Sequence, residues 1–265
     1  MTTPGKSKLT LLAAAAAAVL LAVPLAAAPA GHLEGYLPMA AHLSGKYGSF
    51  WTTDVWIYTE SATTVNLWYN PSGNDNTGVQ SVVVPLTQPV TYLPDIVGTT
   101  FKASGTKGAV HYLANGMVEV VSKTWTPGPA GGTYGVVADG VPVAMASTPG
   151  AGPDGSLRML ANQTPGFRVN LGLMNVTSSP ATVTVEIFTA DGLPAPGASS
   201  FTVTLQPYDM QEKDDILAAL GSGSRQGLIV RASVSGGDGA ILAYLTEVDN
   251  TTNSGSYQEA FRFGY

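Results

Sequence analysis

The chain has no cysteine in its 265 residues. Disulfide staples, paired-cysteine metal or redox motifs and a lipid-modified N-terminal cysteine are therefore excluded. A chain exported without disulfides must be held by its hydrophobic cores, which two domains of about 100 residues can supply. Charge is also scarce: Asp, Glu, Lys and Arg make up 11% of the sequence, against about 25% in ordinary soluble domains. There is no basic run, and 12 Lys+Arg face 18 Asp+Glu. Nucleic acids and anionic membranes are held by clustered cations, so neither is expected as a partner. Histidines number three, His32, His42 and His111, at spacings that fit no metal site or triad. His32 and His42 fall in the segment leading into the first repeat, and His111 falls in a strand. G-x-S-x-G, H-E-x-x-H and G-x-x-x-x-G-K are all missing. The expectation is a protein without enzymatic activity. Helix signals are few as well. Only residues 214–220 read as helical, with Asp214 and Asp215 at the start and Gly221 at the end, and capping accounts for both acids.

What is present begins with an export signal. Lys6 and Lys8 precede an apolar run over 9–25 that ends in small residues up to Ala30. This is the pattern of a cleaved secretory signal, 1–30. The run is marginal for a membrane span and Pro24 interrupts it. Two of the 12 basic residues leave with the signal, so the remainder carries a formal charge of −8. The protein is expected outside the cytoplasm, whether extracellular, on the cell surface or periplasmic, with no membrane span after signal removal.

Gly, Ser, Thr and Pro take the place of charge, and strand signals dominate. Short β-branched or aromatic runs over 80–85, 118–125, 201–205, 228–234 and 241–248 are bounded by Gly, Pro, Asn or Asp. Asn115-Gly116, Asp191-Gly192 and the run 236–239 read as turns. Two stretches, 36–134 and 159–257, read as one sequence written twice. FWTTDVWI at 50–57 aligns with FRVNLGLM at 167–174, and VNLWY at 65–69 with VTVEI at 183–187. DIV at 95–97 aligns with DIL at 215–217, KGAV at 107–110 with QGLI at 226–229, VEVV at 118–121 with ILAY at 241–244, and GTY at 132–134 with GSY at 255–257. The period suits a duplicated domain rather than a solenoid unit. The expected organisation is repeat 1 over 31–137, a Gly/Pro-rich linker over 138–158, and repeat 2 over 159–265.

All four tryptophans, Trp51, Trp56, Trp68 and Trp125, lie in the first repeat. The alignment sets Arg168, Leu173, Glu186 and Val248 in their places. Trp56 for Leu173 and Trp125 for Val248 read as exchanges of one core residue for another. Trp68 for Glu186 does not: Val183, Val185 and Ile187 alternate with Thr184 and Glu186, so this register turns outward. Trp51 for Arg168 points the same way. Exposed tryptophans stack on sugar rings or on a partner's apolar surface, so Trp51 and Trp68 are the candidate ligand-binding residues. Packing of Trp68 against the second repeat or the linker is the competing reading. The oxygen-rich loops 74–78 and 249–255 each offer one Asp. Calcium favours several oxygen ligands, but turn chemistry explains both loops equally, so no cofactor is required. Tyr257, Phe261, Phe263 and Tyr265 alternate toward an aromatic C-terminus, as in the last strand of an outer-membrane barrel or a strand donated to a neighbour's sheet.

The Phe-x-Thr/Val-Thr/Asn pattern from Phe50 and from Phe167, the Asp-Ile-Val/Leu element, and the tails Thr126-Pro127 and Asp249-Asn250 resemble secreted bacterial proteins with tandem immunoglobulin-like β-sandwich repeats. The resemblance spans nearly the whole chain after the signal. It implies fold and export, with no activity and no catalytic residues. The sequence therefore predicts an all-β protein of two tandem, internally duplicated immunoglobulin-like sandwiches. It reads as an exported surface or matrix protein that binds a protein or carbohydrate partner, or self-assembles. The alternatives are a secreted glycan-active enzyme with a carboxylate pair, favoured if acidic residues converge in a cleft lined by Trp51 or Trp68, and a small outer-membrane barrel.

Overall fold

β-Branched and aromatic runs form strands here because their side chains pack well on a pleated surface and lose little freedom there. The computed structural model describes residues 31–45, 48–128, 131–221 and 223–262. The expected signal and the terminal Phe263 and Tyr265 lie outside them. The first half contains β1 (His32–Ser44), β2 (Phe50–Tyr58), β3 (Thr64–Pro71), β4 (Val82–Pro85), β5 (Val90–Leu93), β6 (Thr106–Pro127), β7 (Thr133–Asp139) and β8 (Val141–Pro142). The second contains β9 (Leu157–Gln163), β10 (Phe167–Asn175), β11 (Ala181–Phe188), β12 (Phe201–Leu205), β13 (Met210–Lys213), β14 (Arg225–Gly237), β15 (Ile241–Asp249) and β16 (Gly255–Glu259). The protein is all-β.

In the second half two four-stranded sheets, β12-β11-β14-β9 and β13-β10-β15-β16, enclose one core. Val183, Val185 and Ile187 enter it from one sheet, and Leu171, Leu173 and Leu245 from the other. Strand order in the first half follows the same chain order, β4-β3-β6-β1 in one layer and β5-β2-β6-β7 in the other. The difference lies in β6, a single 22-residue strand. Its first part pairs with β1 and β3, and its last part with β2 and β7. Asn115-Gly116, read from sequence as a turn, lies inside this strand where it passes from one layer to the other. β4, β5, β12 and β13 are open edges, so the described residues do not form the single closed sheet of a barrel.

Core positions expose a one-residue slip in the sequence alignment. The buried alternation Val55, Ile57 answers Leu171, Leu173, whereas the alignment set Trp56 against Leu173. A slip of one residue exchanges the two faces of a strand. Trp56 accordingly points outward, opposite Val121, as Gly172 does opposite Tyr244. Trp125 is also no core residue: it alternates with buried Thr124 and Thr126 and is itself half-buried. The helix expected over 214–220 is reduced to a 3₁₀ turn, Ala218–Leu220. Asp215, expected to cap it, sits at φ 45° instead, and its N–H donates to Asn170 Oδ1 at 3.0 Å. Asp95 repeats the arrangement at φ 42° with its N–H on Asp54 Oδ1 at 2.9 Å. Aspartate is one of the few side chains that tolerates this left-handed region. His32 and His42 belong to β1 rather than to an irregular lead-in.

From Gly31 onward the chain is one compact unit. A third apolar cluster joins the halves: Tyr36, Ala109 and Val141 from the first meet Met174, Met210, Leu242 and Tyr244 from the second. The face of the β9–β14 layer's counterpart in the first half thus packs on the outer face of the β13-β10-β15-β16 sheet. Loop 72–78 reinforces the contact. The Gly73 N–H donates to Asp209 Oδ1 at 2.6 Å, and the Asn76 side-chain amide to the Tyr208 carbonyl at 3.1 Å. The connection over 138–158 is tied to both halves. β8 pairs with β1, and Ser147 bridges Ile241. Arg262 donates to the Ala144 and Ala146 carbonyls.

Two predictions follow from the seam. Gly172 exists for close approach: an added Cβ would lie 1.9 Å from the ring of Tyr244, which is fully buried and cannot swing away. Gly172→Ala should cost about 1–3 kcal/mol, the scale of overpacking, read as a lower urea midpoint. On β16, burial and then the Asp139 charge push the Glu259 carboxyl above its usual range. The folded state therefore favours the protonated form, and ionisation near neutrality opposes folding. Glu259→Gln should raise Tm at pH 7, with the gain shrinking as the pH falls and gone below about 4, where the Glu259 carboxyl is protonated in the folded and unfolded chain alike.

Candidate functional site

β2 carries Trp51 on the same side as Thr53, Val55 and Ile57, but at the strand end, beyond the core. There its ring walls a cleft of about 210 Å³ between the two halves. Three local features set the ring. Leu43 faces it across the β1–β2 pair, and its Nε1–H donates to Ser49 Oγ at 3.0 Å. Gly45 leaves room beside it, since a Cβ there would sit 2.4 Å from Nε1.

The second half supplies the polar wall. Arg168 projects from β10 into the cleft. Its guanidinium donates to Asn250 Oδ1 at 2.7 Å and Asn253 Oδ1 at 3.4 Å. Both asparagines belong to the oxygen-rich loop that the sequence offered as a calcium site. Its Asp249 carboxylate accepts from the Thr251 and Thr252 N–H groups, and the first of these bonds holds Asp249 below its usual carboxylate range. The loop is thereby shaped to orient Arg168. In the other oxygen-rich loop the Asp75 carboxylate accepts from Thr77 N–H and Oγ1, which lowers its pKa. No group of three or more His, Cys, Asp or Glu among the described residues is arranged to hold a metal ion.

Glu212 and Asp214 also line the cleft, two residues apart and therefore on one side of the chain where it leaves β13. Glu212 is fully engaged. Lys107 Nζ reaches Oε1 at 3.4 Å from the first half, and the Tyr244 hydroxyl donates to Oε2 at 3.3 Å. Burial, and then the Glu212 charge, raise the Tyr244 hydroxyl well above its usual range. The cleft thus presents an aromatic wall, an oriented guanidinium and an ion pair at the junction of two domains' worth of structure, a usual position for small-molecule sites.

Trp68 is elsewhere. It is half-buried on the outer face of β3 and stacks on His111, ring centroids 4.7 Å apart, and His111 stacks on Tyr36 at 4.6 Å. His111 also bonds Glu34 at 2.9 Å, and burial lowers its pKa. The row ends in the buried seam at Tyr36. In the second half the matching cross-strand pair is Glu186 with Arg231, whose Nη2 and Nε both donate to Glu186 Oε2, at 2.7 and 3.1 Å. The structure therefore does not bring the two candidate tryptophans together. Sequence reasoning missed Lys107 and Glu212, which are 105 positions apart and carry no local signal.

The remaining tryptophans form a second outward cluster. Trp56 stacks on Tyr92 at 5.1 Å. Buried Asp54 accepts from Tyr92 Oη at 3.1 Å, Trp125 Nε1 at 3.0 Å and the Asp95 N–H. Asp54→Ala would strand three donors and should cost about 1–3 kcal/mol, measured by chemical unfolding, with a near-ultraviolet circular dichroism change as Trp125 is released.

No family model matches the chain, and no curated protein matches it. Among solved structures it is similar to the apo form of a lectin from Pleurotus ostreatus, at 10% identity over 88% of this chain and 79% of that one, with a TM-score of 0.23. A likeness at that level carries no weight for fold or function.

Proposed function

We propose that the protein is an exported, non-enzymatic binding protein that takes a carbohydrate in the cleft against Trp51. On this reading the two halves are immunoglobulin-like sandwiches of common ancestry, and their shared strand order supports that origin. The observation that carries the function is the pairing of the Trp51 ring with Arg168 across the cleft, the guanidinium held by two neutral amides rather than neutralised by them. An aromatic face stacks on the C–H side of a sugar ring while charged donors take its hydroxyls. Export rests on the N-terminal sequence, and the low content of charge agrees with it.

The second reading is a glycan-active enzyme, favoured by one observation: two carboxylates, Glu212 and Asp214, share the wall with Trp51. Hydrolysis needs a proton donor and a second free carboxylate, and Glu212 is committed to Lys107 and Tyr244.

The test is intrinsic fluorescence titration against a panel of polysaccharides, with and without calcium. Trp51→Ala is expected to abolish a saturable shift and Trp68→Ala to leave it. No shift with any glycan would overturn the reading. Release of reducing ends that stops in Glu212→Gln or Asp214→Asn would establish the enzyme instead.

A further inference from the structure

Each half offers two outer sheet faces, and the fold covers one on each. The first half's β4-β3-β6-β1 layer and the second half's β13-β10-β15-β16 layer meet at the seam. Both are apolar there, as a covered face should be. The first half's other layer, β5-β2-β6-β7, is apolar too, yet its face is exposed. Tyr58 (44% exposed), Val90 (50%), Tyr92 (50%) and Val137 (58%) surround the half-buried Trp56 and Trp125. A contiguous patch of this kind, rather than scattered apolar residues, marks an interaction surface.

We propose that copies of this chain stack head to tail. The free β5-β2-β6-β7 face of one copy docks on the free β12-β11-β14-β9 face of the next. Three observations select a second copy as the occupant. First, the structural counterpart of the aromatic face, in the second half, is already covered within the chain by a sheet of the complementary layer; the intermolecular contact repeats that layer-on-layer arrangement. Second, the free face of the second half has an apolar centre, with Leu160 (54% exposed), Ile229 and Phe188 adjacent across β9, β14 and β11. Third, the charges are complementary. Glu119 and Asp139 outnumber Lys123 around the aromatic face, whereas Arg158 and Arg231 outnumber Glu186 on the other. Two different faces used head to tail do not close a ring by necessity, so the contact extends into filaments. This inference stands apart from the carbohydrate reading, since the cleft at Trp51 belongs to neither face.

Sedimentation velocity over a wide concentration range tests it, with two variants at exposed positions: Val137→Arg on the aromatic face and Leu160→Glu on the other. Parent protein is expected to grow into an open-ended series that weakens with salt. Each variant alone should remain monomeric. An equimolar mixture of the two should form one-to-one pairs and no larger species, because each variant retains one intact face. Unchanged thermal melts verify folding, and Tyr92→Lys replaces Val137→Arg if that variant melts early. A parent that stays monomeric at every concentration overturns the proposal, as does a closed dimer indifferent to Leu160→Glu. So does a monomer that binds a polysaccharide through this face and loses it in Tyr92→Lys.

Discussion

Tyr244 lies fully buried against Gly172, and the contact between its sheet and the β1–β6 layer is what the rest of the architecture depends on. A sandwich of four-stranded sheets normally keeps its outer faces in water, with polar residues alternating against the core. Here β10 and β15 are buried on both faces. Gly172 in β10 admits the Tyr244 ring. Burial of Tyr36, Met174, Met210 and Leu242 is the hydrophobic contribution of the seam. The hydrogen bonds from loop 72–78 to the turn at 207–210 fix its register.

That contact also makes the two halves chemically unequal. The same cross-strand position is Trp68 beside His111 in the first half and Glu186 beside Arg231 in the second. The first row abuts the seam and is aromatic, while the second is a half-buried ion pair on the face the fold leaves uncovered. Asp54 and Asn170 differ in the same manner. Both accept from the N–H of a left-handed aspartate, but only Asp54 also collects Tyr92 and Trp125, which are features of the uncovered aromatic face.

Much of the fold was legible in the sequence. The all-β class and most strand positions follow from local residue types, whereas Asp215, read as a helix cap, takes the left-handed conformation instead. The orientation of Trp68 was readable because Val183, Val185 and Ile187 supply an unambiguous alternation. Trp56 failed for a different reason: an alignment anchored on Phe50 and Phe167 slips by one, although Val169, Leu171 and Leu173 alternate with Arg168, Asn170 and Gly172 and mark the inward face of β10. Asn115-Gly116 misled because an Asn-Gly pair that would make a hairpin turn can equally let a long strand cross between layers. The site was half legible. Trp51 was singled out by its match to Arg168 as an outward residue, a match the one-residue slip undoes, since Trp51 shares the inward side of β2 with Val55 and Ile57; Lys107, Glu212 and the asparagines around Arg168 come together only through the tertiary fold.

The cleft occupies the margin of the seam, where apolar contact gives way to charge. Its two walls come from different halves, with Trp51 and Lys107 on one and Arg168 and Glu212 on the other. Neither half alone holds a complete site. A molecule bound there contacts both walls, so it binds the docked arrangement and not an opened one, and by mass action it stabilises the seam in proportion to its occupancy. Binding strength and the packing of Tyr36 on Met174 and Tyr244 are therefore thermodynamically linked. On the proposed reading, a substitution that loosens the seam should weaken carbohydrate binding even when every residue in the cleft is intact.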